Sequence, residues 1–289
     1  MAARDLAGKT ILITGPNTGI GRATALALGR RGAKLYLAGR SAERMQPVID
    51  ELRRDGNDEA VFLPLDLGSL ASVRACARQF LETGERLHVL IANAGLAGQR
   101  GLTEDGFERT FGVNHLGHFL LIDLLLERLK ESAPSRVVIV ASRAHKRVKK
   151  LDLDALRQPT RTTSGFPEYG ASKLCNVLHA RELARRLEGT GVTTYALHPG
   201  VIASDVWREV PWPIRPVMKM FMKTNEEGAA TSIYCATAPE LATVSGRYYD
   251  ECKEREPASL GKDDGLAKEL WRRSVEWTRE DRPKSEARA

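Results

Sequence analysis

Cysteine is scarce in this 289-residue chain: Cys76, Cys175, Cys235 and Cys252 are spaced too widely for a zinc or redox pair. Four reduced thiols in a reducing compartment are expected, and with them a cytoplasmic location. No segment approaches the roughly 18–20 consecutive apolar residues of a membrane span. The first apolar run, TILIT, ends at Gly15, too soon for the core of a signal peptide. Charge of one sign is not concentrated either: 44 Lys+Arg against 37 Asp+Glu give a formal net charge of +7, spread along the chain. Without a basic stripe interleaved with aromatics, or a nucleic-acid module motif, nucleic acid is not an expected partner. Repeats, low-complexity blocks and internal linkers are missing. With 42% hydrophobic and 28% charged residues, the composition excludes collagen-like, disordered and disulfide-scaffold chains. A chain this long buries about 75% of its unfolded surface and needs no covalent or metal staple.

What is present is alternation. Short, β-branched apolar runs recur at 10–14, 34–38, 60–65, 87–92, 136–141 and 192–197, with a last one at 245–249. Each has strand length, and most are continuously apolar, as strands covered on both faces are. Between them, 20–30, 41–54, 69–82, 115–130 and 168–188 repeat apolar residues at helical spacing, with Ser41 and Ser69 as N-caps. The pattern predicts βαβ units and an α/β fold, a Rossmann-type doubly wound parallel sheet of about seven strands with helices on both faces. One domain spans 1–289, with a charged tail after 278 that is expected to fray. Segment 204–224 interrupts the pattern and gathers Trp207, Trp212, Met218, Met220 and Phe221. It reads as a lid over an apolar substrate, as a packed surface loop, or as a peripheral membrane contact.

The turn after the first run holds Gly15, Asn17, Thr18, Gly19, Ile20 and Gly21 and leads into the first helix. Glycines let backbone N–H groups approach a pyrophosphate, and a helix N-terminus favours the anion. At the end of the second run, where a carboxylate would hold ribose hydroxyls, stands Arg40. A guanidinium instead binds a 2′-phosphate through paired hydrogen bonds. Arg22, following Gly21, is placed to reach the same group, so NADP(H) is the expected cofactor. Asn93, Ala94 and Gly95 end the fourth run.

Tyr169 and Lys173 form a Y-x-x-x-K. On a helix these positions share a face, which sets an ammonium beside a phenol and draws its pKa down from about 10. A second pair, Tyr249 and Lys253, falls at the end of a strand, where four residues span roughly 13 Å, and is rejected. Ser142 ends the fifth run, at the carboxyl edge where ligands bind such sheets. A lone serine there is commonly a helix cap. Asn114 opens a long Leu-rich helix. His115 and His118 have no carboxylate to complete a zinc motif and read as packing residues, so no metal is expected. The run 143–150, RAHKRVKK, reads as a solvated loop or as a basic rim for acidic substrates or a membrane surface.

In this order the motifs resemble the short-chain dehydrogenase/reductase family over about residues 8–277. They are TGPNTGIG, the Asn-Ala-Gly of 93–95, Asn114, Ser142, Tyr169 with Lys173, and His198-Pro199-Gly200. VNHLGHF, PWPIRP and YYDECKEREPA are similar to the retinol dehydrogenase-like branch, and Arg40 agrees with its NADP(H)-using members. The resemblance implies that Tyr169 is general acid in reduction and general base in oxidation. Lys173 holds the nicotinamide ribose, Ser142 donates to the substrate oxygen, and Asn114 orders the Lys173 end. Asp66 accepts from the adenine amino group or serves only a turn, and Leu67, Pro199, Gly200, Val201 and Ser204 complete the cofactor contacts. Hydride chemistry of this kind uses no metal. A homodimer through the helices carrying Asn114 and Tyr169 is a further implication. The expected activity interconverts a carbonyl and an alcohol on an apolar substrate, retinal-like or another lipophilic aldehyde. Reduction of steroid, lipid or xenobiotic ketones is the alternative, and a non-catalytic NADP-binding regulatory or scaffold protein is the reading from another class.

Overall fold

The computed structural model describes residues 4–200 and 224–279. Val201, Ser204, almost all of the candidate lid and most of the charged tail lie outside the described residues. The strands are β1 (Thr10–Thr14), β2 (Lys34–Gly39), β3 (Ala60–Pro64), β4 (Val89–Ala92), β5 (Ser135–Val140), β6 (Val192–His198), β7 (Arg247–Asp250) and β8 (Lys253–Glu254). They form one sheet in the order β3-β2-β1-β4-β5-β6-β7-β8. The first seven pair in parallel, and β8 returns antiparallel to β7. About seven strands were expected, and the eighth is a two-residue strand with no apolar run to announce it. The tight return runs through Glu251 and Cys252, both in left-handed conformation at φ 54° and 56°.

The helices are α1 (Gly19–Arg30), α2 (Ala42–Arg54), α3 (Leu70–Glu82), the short α4 (Arg109–Phe111), α5 (Gly117–Leu124), α6 (Leu126–Glu131), α7 (Phe166–Arg186), α8 (Asn225–Thr237) and α9 (Asp264–Trp277). Ser41 and Ser69 cap α2 and α3 by accepting from the N–H groups of Arg44 and Ser72, each cap worth about 1 kcal/mol. The continuous apolar runs now have a physical reason. The pleat sends alternate residues to opposite faces, and both faces are covered. Leu12, Leu90 and Val137 pack with Val73 and Phe80 of α3, Leu121 of α5 and Leu183 of α7. Their neighbours Ile11, Ile13, Ile91 and Val138 pack with Leu28 of α1, Leu52 of α2 and Cys235 of α8. Each fully buried aliphatic side chain contributes about 1.5–3 kcal/mol.

The single helix expected over 115–130 is divided. A π-helical turn, Gly112–Leu116, precedes α5, and α6 begins afresh at Leu126. Such turns change the register of one helical face and recur at functional sites; here the turn contains Asn114. On the outer side of α7 lies α9, whose Trp271 packs on Phe119 and His179 and whose Trp277 packs on Phe111. This contact occupies part of the helix pair to which the resemblance assigns a homodimer. Among the described residues no helix is long and apolar enough to cross a membrane.

Candidate active site

The chain runs outward from β1 through β2 to β3 and then returns to β4 on the other side of β1. At such a reversal the loops beyond the strand ends diverge and leave a crevice. Here it has a volume of about 690 Å³. Its lining includes Gly15, Asn17, Thr18, Gly19, Ile20 and Gly21 of the turn after β1, Arg40 after β2, Asp66 and Leu67 after β3, and Asn93, Ala94 and Gly95 after β4. Close approach explains one glycine: a Cβ on Gly21 would lie 2.5 Å from both the Gly15 carbonyl oxygen and Asn93 Nδ2. Any side chain there would push the turn off β4.

The crevice fits a dinucleotide. The first turn of α1 carries no acidic residue, and the Thr18 side chain does not cap it, so the positive helix end faces the glycine-rich wall. Residues that sequence reasoning passed over also line it, Arg44, Arg109 and Val113 among them. Arg44 sits on the first turn of α2, four residues after Arg40, and that spacing was the available signal. Arg22 is placed differently from expectation. Its guanidinium pairs with Glu51 of α2, and it does not line the crevice. Asp66 has the turn role, one carboxylate oxygen accepting from the Gly68 N–H at 2.9 Å, and it also lines the crevice. Asn93 is a tie between strands, donating from Nδ2 to the Thr14 carbonyl at 2.9 Å. Pro199 and Gly200 follow β6 and are half-buried.

The remaining four candidates do not themselves line the crevice; Asn114 and Lys173 stand directly behind Gly95, which does. A Cβ on that residue would lie 3.3 Å from Asn114 Oδ1 and 3.4 Å from Lys173 Nζ. Asn114 is fully buried and bonds the Leu96 backbone twice, accepting at 2.8 Å and donating at 2.9 Å. It also donates to Ser172 Oγ at 3.0 Å, while Ser172 donates to the Tyr169 carbonyl at 2.8 Å. The π turn is thereby stitched to the helix bearing Tyr169. Lys173 Nζ donates to the Val140 carbonyl at 2.8 Å, at the end of β5, and lies 5.7 Å from the Tyr169 ring centroid. Ser142 follows that strand end as the cap of a 3₁₀ turn and hydrogen-bonds the Tyr169 hydroxyl. Gly170 makes this closeness possible, because a Cβ there would meet the Ala144 carbonyl oxygen at 3.2 Å.

The electrostatics depart from the sequence expectation in one respect. Burial is the dominant influence on Tyr169 and raises its pKa, while the Ser142 hydrogen bond pulls the other way. Burial acts on Lys173 as well and lowers its pKa to about 7. An ammonium removed from water pays for its own charge first.

A crevice at the sheet reversal, with an amine and a carboxamide directly behind its Gly95 lining and a phenol and hydroxyl beside the amine, defines a dinucleotide-dependent oxidoreductase. Residues 9–152 match the family described as short chain dehydrogenase. The chain is 45% identical over 279 residues to retinol dehydrogenase 12 of Mus musculus, covering 94% of this chain and 87% of that protein. It is 47% identical over 280 residues to dehydrogenase/reductase SDR family member 13 of Bos taurus, covering 93% and 73%. A crystal structure of a protein from Mycobacterium paratuberculosis superimposes with a TM-score of 0.76 at 31% identity, covering 96% of this chain and 97% of that one. The chain belongs to the short-chain dehydrogenase family. It is an oxidoreductase of that family and uses a nicotinamide cofactor.

Proposed function

We propose that the protein is an NADP(H)-dependent oxidoreductase that interconverts a carbonyl and an alcohol on a lipophilic substrate of retinal or retinol type. The observation that carries the chemistry is the grouping of Asn114, Ser142, Tyr169 and Lys173, with Asn114 and Lys173 against Gly95 of the crevice lining. A cofactor-binding scaffold has no need of that set. Relatives named as retinol dehydrogenases favour the apolar substrate class. Arg40 and Arg44, on the crevice wall at the end of β2, favour a 2′-phosphate over free ribose hydroxyls. The glycine-rich turn, Asp66, Leu67 and 93–95 would hold the rest of the cofactor, and Lys173 with Tyr169 its nicotinamide ribose.

The bound nicotinamide would supply or accept the hydride. Tyr169 carries the proton on its Oη, and burial keeps it there at neutral pH, the state that reduction needs of a general acid. Ser142 Oγ donates to the substrate oxygen as negative charge grows there. Asn114 fixes the position of the Lys173 end through its bonds to Leu96 and Ser172. Trp207, Trp212, Met218, Met220 and Phe221, outside the described residues, are proposed to cover the apolar substrate, and a peripheral membrane contact through the same segment is compatible with that role. The test is oxidation of NADPH and NADH across aldehydes and ketones of graded length, retinal among them. Faster turnover of long apolar aldehydes with NADPH is expected. Preference for NADH, or no turnover of any carbonyl, would overturn the proposal.

A further inference from the structure

Two buried histidines bond the main chain of the site itself. His145 Nε2 lies 3.1 Å from the backbone nitrogen of Ala258, which can only donate. That ring nitrogen is therefore the acceptor, and the proton of the neutral imidazole sits on Nδ1. Nδ1 in turn lies 2.6 Å from the Ser142 carbonyl oxygen, which can only accept. His118 repeats the arrangement. Thr14 Oγ1 accepts from the N–H groups of both Asn93 and Ala94 at 2.9 Å, which directs its own proton to His118 Nε2 at 2.8 Å. His118 Nδ1 lies 3.1 Å from the Asn114 carbonyl oxygen. Both rings are almost wholly buried, at 0% and 1% exposure, and burial holds both below the ordinary histidine pKa. Each carries one proton on Nδ1, the less populated tautomer of a free imidazole.

We propose that His145 and His118 are positioning residues of the reaction, each fixing through its Nδ1–H the peptide carbonyl of a site residue, Ser142 and Asn114. The inference rests on the active-site reading above. His145 ties the Ser142 peptide to the segment after β8, and His118 ties the π turn to the ends of β1 and β4. Neither ring touches the reacting atoms; each limits how the residue beneath it can drift. The neighbouring His115 and His179 do something else. His115 stacks on Phe111 and meets Asn176, and His179 packs on Trp271.

Asparagine places its Nδ2 where histidine has Nδ1, whereas glutamine reaches the Nε2 position instead. His145→Asn and His118→Asn should therefore keep the carbonyl bond and lose the distant one, and the glutamine variants the reverse. All four should lower the melting temperature. The glutamine variants should lose about ten- to a hundredfold in kcat, the usual consequence of a misplaced or unpaired buried hydrogen-bonding group, with the cofactor KM little changed. The asparagine variants should keep most of that turnover. Equal loss in both variants, or loss in neither, overturns the proposal. Nitrogen-15 shifts of the wild-type rings give a reading that needs no variant to fold: Nδ1–H at both is expected, and Nε2–H or an imidazolium at neutral pH overturns it. Ser142→Ala separates the two levels. Turnover surviving in Ser142→Ala would overturn the active-site reading itself. Turnover lost there, but alike in the asparagine and glutamine variants, would overturn only the role of the histidines.

Discussion

The chain contains the same five-residue pattern twice, and the two copies behave as different chemistry. In α7, Tyr169 and Lys173 are successive residues of one helical face, with Lys173 Nζ 5.7 Å from the Tyr169 ring centroid. At the other end of the sheet, Tyr249 belongs to β7 and Lys253 to β8. The reversal at Glu251 and Cys252 pairs Lys253 with Asp250 and Tyr249 with Glu254. Tyr249 then packs against Tyr195 and Tyr234, 2% exposed, with its pKa pushed up by burial, and Lys253 faces solvent. The residue types and their spacing are identical. Backbone geometry alone decides whether the amine stands over the phenol or across a turn from it.

The sharpest way to break this comparison is to remove each phenol hydroxyl. Tyr169→Phe should lower kcat by about 10²–10⁴-fold, the range of a lost general acid, with NADPH binding close to that of the wild type. Tyr249→Phe should leave kcat unchanged. Steady-state turnover and a fluorescence titration of cofactor decide it. A Tyr169→Phe enzyme retaining more than about a tenth of kcat, a loss under about 1.4 kcal/mol, would show that the proton comes from elsewhere.

How far the sequence could be read varied with the kind of interaction. Strands buried on both faces advertise themselves: the run read at 10–14 is β1 to the residue, and the others differ from the observed strands by one or two positions. Caps are local, so Ser41 and Ser69 were legible. The division of the 115–130 helix was not, because Asn114 leaves α-helical register to bond Leu96, eighteen residues earlier. The same reason hid His118 and His145. Their partners Thr14 and Ala258 are distant in sequence, and no periodicity records a bond between an imidazole and a carbonyl. Arg22 misled for the opposite reason: it adjoins the glycine turn, yet Glu51 across the α1–α2 interface claims it.

The two arginines offer the next largest contrast. Losing a hydrogen-bonded charge contact costs roughly 1.5–3 kcal/mol, about one to two decades of affinity. Arg40→Ala should weaken NADPH by that amount and NADH little, and Arg40→Ala with Arg44→Ala should weaken NADPH further. Arg22→Ala, which breaks an ion pair on the surface of α1, should leave the NADPH-to-NADH ratio unchanged within about threefold, as expected for a part-exposed pair. Equal losses of both cofactors in Arg40→Ala would remove this residue from 2′-phosphate recognition.

The smallest effect separates the two lysines without any turnover. Burial depresses the Lys173 pKa to about 7 in the folded chain, while an unfolded lysine titrates near 10.4. Between those values the unfolded chain binds a proton that the folded chain does not. Stability contributed by this group therefore rises with pH through that window. Below about pH 7 both states are charged, and the full cost of burying the ammonium is present; above about 10.5 it has vanished. The slope is about 1.4 kcal/mol per pH unit, so cofactor-free wild type should gain roughly that much from pH 7.5 to 8.5 relative to Lys173→Met. This comparison cancels the buried thiols, which both proteins share. Lys253→Met removes a solvent-facing charge and should show the wild-type slope, with stability changed by no more than about 0.5 kcal/mol. Urea denaturation at the two pH values measures all three. Parallel slopes for wild type and Lys173→Met would mean that the ammonium keeps its water in the folded chain, and that the two Tyr–Lys pairs differ in geometry but not in burial.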